Sequence, residues 1–214
     1  MLWHKIQGAG GVGGAAGSFS FLSNTYQTTG GSPFTFSSQS LGDTDGDRWI
    51  LVLGYYGGGD FRDEISSITL GGTSMTLATR IDNESLGTAI FYLKETTSSS
   101  ADIVVTAGSS TECGISIYRL ISTATDPFSS GDSRENTSTA SVSASGLAVI
   151  AGSTSQNGST SPTVSSDLSE DFTPYDWDTN DYVFGYSTDS GNSTSSIAGA
   201  SNNYNQSIAA FTYS

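Results

Sequence analysis

Few side chains in this 214-residue sequence could carry acid–base or nucleophilic chemistry, and their placement narrows the choice further. There is one histidine, His4, and one cysteine, Cys113. A single thiol excludes an intrachain disulfide and a thiolate metal cage. An imidazole three residues from the first residue makes a poor general base, because chain ends are seldom held in place. Serine is abundant, yet no G-x-S-x-G elbow presents one as a nucleophile. Paired carboxylates occur at Asp63-Glu64 and Glu170-Asp171, with Asp176, Asp178 and Asp181 close by in sequence. A glycosidase needs two carboxyls about 5–9.5 Å apart in a cleft. In a chain this acidic, neighbouring acids are expected to form solvated loops instead. No catalytic residue is assigned.

Residues 43–47 read DTDGD and resemble the start of a calcium loop, where alternate carboxylates converge on a hard cation. The bidentate acid such a loop needs at its twelfth position would fall on Gly54, so a turn is expected here and no metal site. The glycine clusters at 8–17 and 57–59 lack the Gly-Lys-Ser/Thr ending of a phosphate cradle. No cofactor is expected.

Two constellations could serve binding. Tyr175, Trp177, Tyr182 and Tyr186 alternate with Asp and Asn, offering ring faces for stacking and polar groups for sugar hydroxyls. Rings of this kind also fill cores and subunit interfaces. The other constellation is the N-terminal tip of Leu2, Trp3, His4 and Ile6, followed by GAGGVGGAAG. Glycine without a Cβ makes that stretch a pliant leash, and an apolar tip on a leash suits docking on a partner. Residues 1–17 are therefore expected to form an extended arm.

Composition sets the outer limits. Seven Lys and Arg against 21 Asp and Glu give a net charge of -14, which removes the cation clusters that bind nucleic acid or an anionic membrane. No apolar run approaches the roughly 18–20 residues of a membrane-spanning helix. The first residues lack the apolar core of a signal peptide, so synthesis in the cytoplasm without secretion is expected. Aromatic residues reach 11% and fall within β-branched runs, which argues for a folded body rather than a disordered chain.

Those runs define the body. Strands are expected at residues 19–22, 34–36, 49–53, 68–70, 73–79, 88–93, 103–105, 114–120, 139–144, 147–151, 182–186, 196–200 and 207–213. Gly71-Gly72 between two of them suits a type I′ hairpin, whose central residues both need positive φ. No segment carries a helical apolar period. The pattern implies an all-β, jelly-roll-like antiparallel sandwich of two packed sheets, one domain over residues 18–214. Ser40-Leu41 leading to the strand at 49–53 also echoes residues 143–150 leading to Ala151-Gly152, as a duplicated half-sandwich would, although Ser/Gly-rich sequence produces such echoes readily.

The segments SLGDTDGDRWILVLG, ITLGGTSMTLATRI, TAIFYLKETTSSSADIVVTAG and CGISIYRLIS, within about 34–152, resemble a β-sandwich module of tailed-phage virion and tail-associated proteins. The resemblance implies a virion structural protein, brings no catalytic residues, and leaves the arm and the region after about 153 uncovered. Expected partners are other virion subunits, on capsid or tail, with homo-oligomerisation and a trimer favoured. The competing expectation is a glycan-binding module of a tail fibre.

Overall fold

A computed structural model describes residues 17–57, 64–81, 86–156, 160–172, 175–176, 181–200 and 204–213. Among them are eighteen strands and no helix. The first nine are β1 (Ser18–Gln27), β2 (Phe34–Ser40), β3 (Arg48–Gly57), β4 (Ile65–Leu70), β5 (Thr73–Ser74), β6 (Thr76–Arg80), β7 (Gly87–Lys94), β8 (Ser100–Ala107) and β9 (Glu112–Ile121). The second nine are β10 (Phe128–Glu135), β11 (Thr139–Val142), β12 (Ala148–Gln156), β13 (Thr163–Val164), β14 (Ser169–Glu170), β15 (Tyr175–Asp176), β16 (Asp181–Thr188), β17 (Ser195–Ala198) and β18 (Tyr204–Phe211).

The pairing order repeats itself. In the first half, β1-β9-β3-β7-β6 form one sheet and β2-β8-β4-β5 another. In the second half, β10-β18-β12-β16-β14 form one sheet and β11-β17-β13 another. Adding nine to each strand number carries β1-β9-β3-β7 onto β10-β18-β12-β16 and β2-β8-β4 onto β11-β17-β13. The chain is thus two sandwiches of one topology in tandem, with all their pairings antiparallel. The sequence echo falls on equivalent places, the β2–β3 and β11–β12 connections. There Leu41 and Ala144 enter the cores of their respective sandwiches.

Four sheets therefore stand where two were expected, and side-chain alternation stacks them in layers. Ile50 and Val52 of β3 point into the core shared with the β2-β8-β4-β5 sheet. Leu51 and Leu53 point the other way, into a core they share with Ala148 and Ile150 of β12 and Ala209 and Phe211 of β18. Val149 and Ala151 of β12 and Ile208 of β18 turn outward to pack with Ala140 and Val142 of β11 and Ile197 of β17. The larger sheet of each sandwich is consequently covered on both faces. This accounts for β3 and β18, which are buried from end to end.

Local chemistry agrees with several readings of the sequence. Gly71 and Gly72 have φ of 56° and 82°, as a type I′ hairpin demands. The expected strand at 73–79 instead breaks at Met75, whose buried side chain marks the corner where the chain leaves one sheet for the other. β10 was not legible because its sequence, FSSGDSRE, has one large apolar residue. It is a strand because it pairs along β18 over nearly its whole length.

The junction between the sandwiches is closely packed where small residues meet. Thr88 and Ser207, both fully buried, exchange hydrogen bonds: Thr88 Oγ1 donates to Ser207 Oγ at 2.9 Å, and Ser207 Oγ donates to the Thr88 carbonyl at 3.1 Å. Asn205 Nδ2 donates to the Leu86 carbonyl at 2.7 Å. Rings fill the opposite side. Tyr55 lies over Gly114 and stacks on Phe172 with centroids 6.4 Å apart, and Phe172 in turn covers Gly185. Glycine is required at both positions, since a Cβ would overlap the ring above it.

Candidate functional site

The tip residues Leu2, Trp3, His4 and Ile6 lie outside the described residues. The point where residues 1–16 join the body is defined. An added Cβ at Gly17 would stand 2.5 Å from the Tyr213 ring and 2.7 Å from the Ile121 carbonyl. The chain therefore enters β1 beside the end of β9 and the residues after β18, at the margin of both sandwiches.

Of the aromatic constellation, Tyr182 and Tyr186 have described side chains. Tyr175 pairs with Val183, and Asp176 with Tyr182, as β15 runs along β16. Trp177 lies outside the described residues. Tyr182 is half-buried against the core of the second sandwich. Tyr186 is only 4% exposed inside that core, so its face is closed to a ligand. Alternation explains this, because Tyr182, Phe184 and Tyr186 share the face of β16 that looks toward the β11-β17-β13 sheet. Of these two rings, Tyr182 is the one that a surface ligand could reach.

The DTDGD segment is organised by a cation of the protein's own. Arg48 is fully buried and spreads its guanidinium over five carbonyls. Nη1 donates to Leu41 at 3.4 Å, Gly42 at 3.1 Å and Asp43 at 3.0 Å, Nη2 to Ser98 at 2.5 Å, and Nε to Glu95 at 2.5 Å. Asp45 Oδ1 accepts the Asp47 N–H at 2.8 Å, a local Asx-type bond that holds the turn. The arginine pins this loop to the 95–98 turn, which the Glu95 carboxylate caps by accepting the N–H groups of Thr97 and Ser98. Those bonds, led by the one from Ser98, hold the Glu95 carboxyl below its ordinary range. Among the described residues no group of three or more His, Cys, Asp or Glu side chains gathers as a metal would need.

Of the carboxylate pairs, Glu64 bonds to Arg80 at 3.1 Å, and Asp63 lies outside the described residues. The pair Glu170-Asp171 departs from the solvated loop expected of it. The edge strand of the second large sheet is interrupted between β14 and β15, and there the chain turns inward. Asp171 Oδ2 accepts the hydroxyl of Tyr118 on β9 at 2.7 Å, and Oδ1 accepts the hydroxyl of Ser187 on β16 at 2.6 Å. Its own N–H donates to the Gly185 carbonyl at 2.9 Å. Tyr118 is fully buried, packed by Phe19 at 5.7 Å and Phe21 at 5.5 Å between ring centroids. Burial raises the Asp171 carboxyl to about 6 despite the two hydroxyls, with the nearby Glu170 charge adding to the rise. No local signal in the sequence marks this group.

The polar groups Arg48, Asp171, Tyr118, Thr88 and Ser207, all but the half-buried Asp171 fully enclosed, act as braces between segments. No family model, no curated protein and no solved structure matches the chain.

Proposed function

We propose that this chain is a non-enzymatic structural protein of a phage virion, a capsid decoration or accessory head/tail protein attached through the tip residues Leu2, Trp3, His4 and Ile6. The observation that carries the reading is the strand order. Sheets of β1-β9-β3-β7 and β2-β8-β4-β5 are what eight strands wound as two Greek keys produce, and the second half repeats most of that winding. On this reading each sandwich is a jelly roll, an architecture that recurs in viral capsid and lectin domains. Fold alone does not fix function, and the use of the inward polar groups as braces supports the non-enzymatic part of the reading. A hydroxyl-rich chain with net charge -14 suits a particle surface, where repeated copies gain avidity from weak individual contacts. Oligomerisation, with a trimer favoured, would follow the symmetry of the particle.

Particles purified from a lysate of the encoding phage provide the test. The full chain is expected to co-purify with them, and a chain lacking residues 1–16 is expected to fold but stay in the soluble fraction. Absence of the full chain from particles rejects the virion reading. Incorporation of the shortened chain rejects attachment through the tip.

The lectin occurrence of the same winding and the half-buried Tyr182 beside Asp176 favour one alternative, recognition of a host glycan by the second sandwich. A glycan array with the full chain separates the two readings.

A further inference from the structure

We propose that Asp171 is a proton-operated clamp between the two sandwiches: taking up one proton on its carboxyl tightens their junction, and releasing it loosens them. The group sits where the two halves meet. Its backbone belongs to the broken edge of the second large sheet, while its carboxylate reaches Tyr118 in the first. In the first sandwich the equivalent edge strand, β6, runs through with a register shift between Leu77 and Thr79 and places Ala78 at the junction. The inward acid is therefore one of the features by which the second half departs from the first.

The surroundings favour the neutral form. β9 presents Tyr118, which β3 backs with Tyr55. β16 presents Ser187, β14 ends in Glu170, and β1 presents the rings of Phe19 and Phe21 around Tyr118. Among the described residues none of these facing groups is a cation. An ionised Asp171 is thus held by two neutral hydroxyls beside a second negative charge, with no cation to offset its desolvation. The protonated carboxyl keeps the Tyr118 bond on one oxygen and can donate to Ser187 Oγ from the other.

The direction follows from linkage. The folded carboxyl keeps its proton up to about pH 6, against an ordinary value of 3.8. Its contribution is complete below the ordinary value and is lost as pH rises through 6. Between pH 8 and pH 5 this site alone should raise the folding constant roughly tenfold.

Thermal and denaturant unfolding of the full chain from pH 8 to pH 4.5, beside Asp171→Asn, tests the clamp. The wild-type gain on acidification should exceed that of the variant by about tenfold at pH 5. The difference should set in as pH falls through about 6 and keep growing down to pH 4.5. Amide hydrogen exchange, corrected for intrinsic rates, should show β9 and β16 better protected at pH 5 than at pH 8 in the wild type alone. Superimposable profiles, or a difference that sets in only near pH 4, overturn the proposal. Should Asp171→Asn fail to fold, the surface change Glu170→Gln decides. Removing that charge should move the onset slightly to lower pH, and a Glu170→Gln chain that gains no stability between pH 8 and pH 5 rejects the clamp.

Discussion

Leu53 of the first sandwich occupies the space above Gly152 of the second, so closely that a Cβ added to Gly152 would stand 2.5 Å from Leu53 Cδ1 and 3.2 Å from its Cγ. Leu53 is fully buried and cannot swing away. Two large sheets meet face to face here with a side chain of one seated in a gap of the other. That interlock fixes the register of the two halves.

Gly152→Ala should therefore destabilise the whole chain, by about 1–3 kcal/mol as overpacking does. The paired change Gly152→Ala with Leu53→Ala should lose less than the two single changes summed, because the second removes the clash. Denaturant melts of the three variants measure this. Strict additivity would mean that the two residues do not interlock.

Arg48→Lys should cost nearly as much stability as Arg48→Ala, on the order of 3–5 kcal/mol. An ammonium cannot span five carbonyls arranged for a planar fork, so charge alone does not rescue the site. Loss of the guanidinium leaves the carbonyls of residues 41–43, 95 and 98 without their donor, and limited proteolysis should find its first cut near 42–47 or 95–98.

The Thr88–Ser207 pair predicts a coupling between the halves. Ser207→Ala leaves Thr88 Oγ1 buried without its acceptor, at about 1–3 kcal/mol. Thr88→Val added to it removes the stranded group and should recover part of that loss. A double-mutant cycle by calorimetry gives the coupling, and a value near zero would contradict the observed bonds.

Tyr182 and Tyr186 should separate cleanly. Tyr186→Ala should cost about 3–5 kcal/mol of stability, as truncation of a core ring does. Tyr182→Ala should cost clearly less, and if a glycan is bound it should weaken that binding with the fold intact. Equal losses of stability from both would place Tyr182 in the core beside Tyr186.

Much of this was written in the sequence because local pattern has local causes. Continuous apolar runs at 49–53 and 147–151 announce strands with no solvent face, and Gly71-Gly72 dictates a hairpin through its φ preference. The absence of a helical period settles the class. A lone thiol and a lone imidazole narrow the chemistry through composition by itself. What strands those runs would join was decided at long range. Pairing of β10 along β18 made a strand of a segment with little apolar content, and four sheets arose from runs that two could have held. Likewise nothing adjacent in sequence tells Asp171 from Glu170. Only the break in an edge strand, and a tyrosine 53 residues earlier in the chain, turn one carboxylate inward and leave the other at the surface.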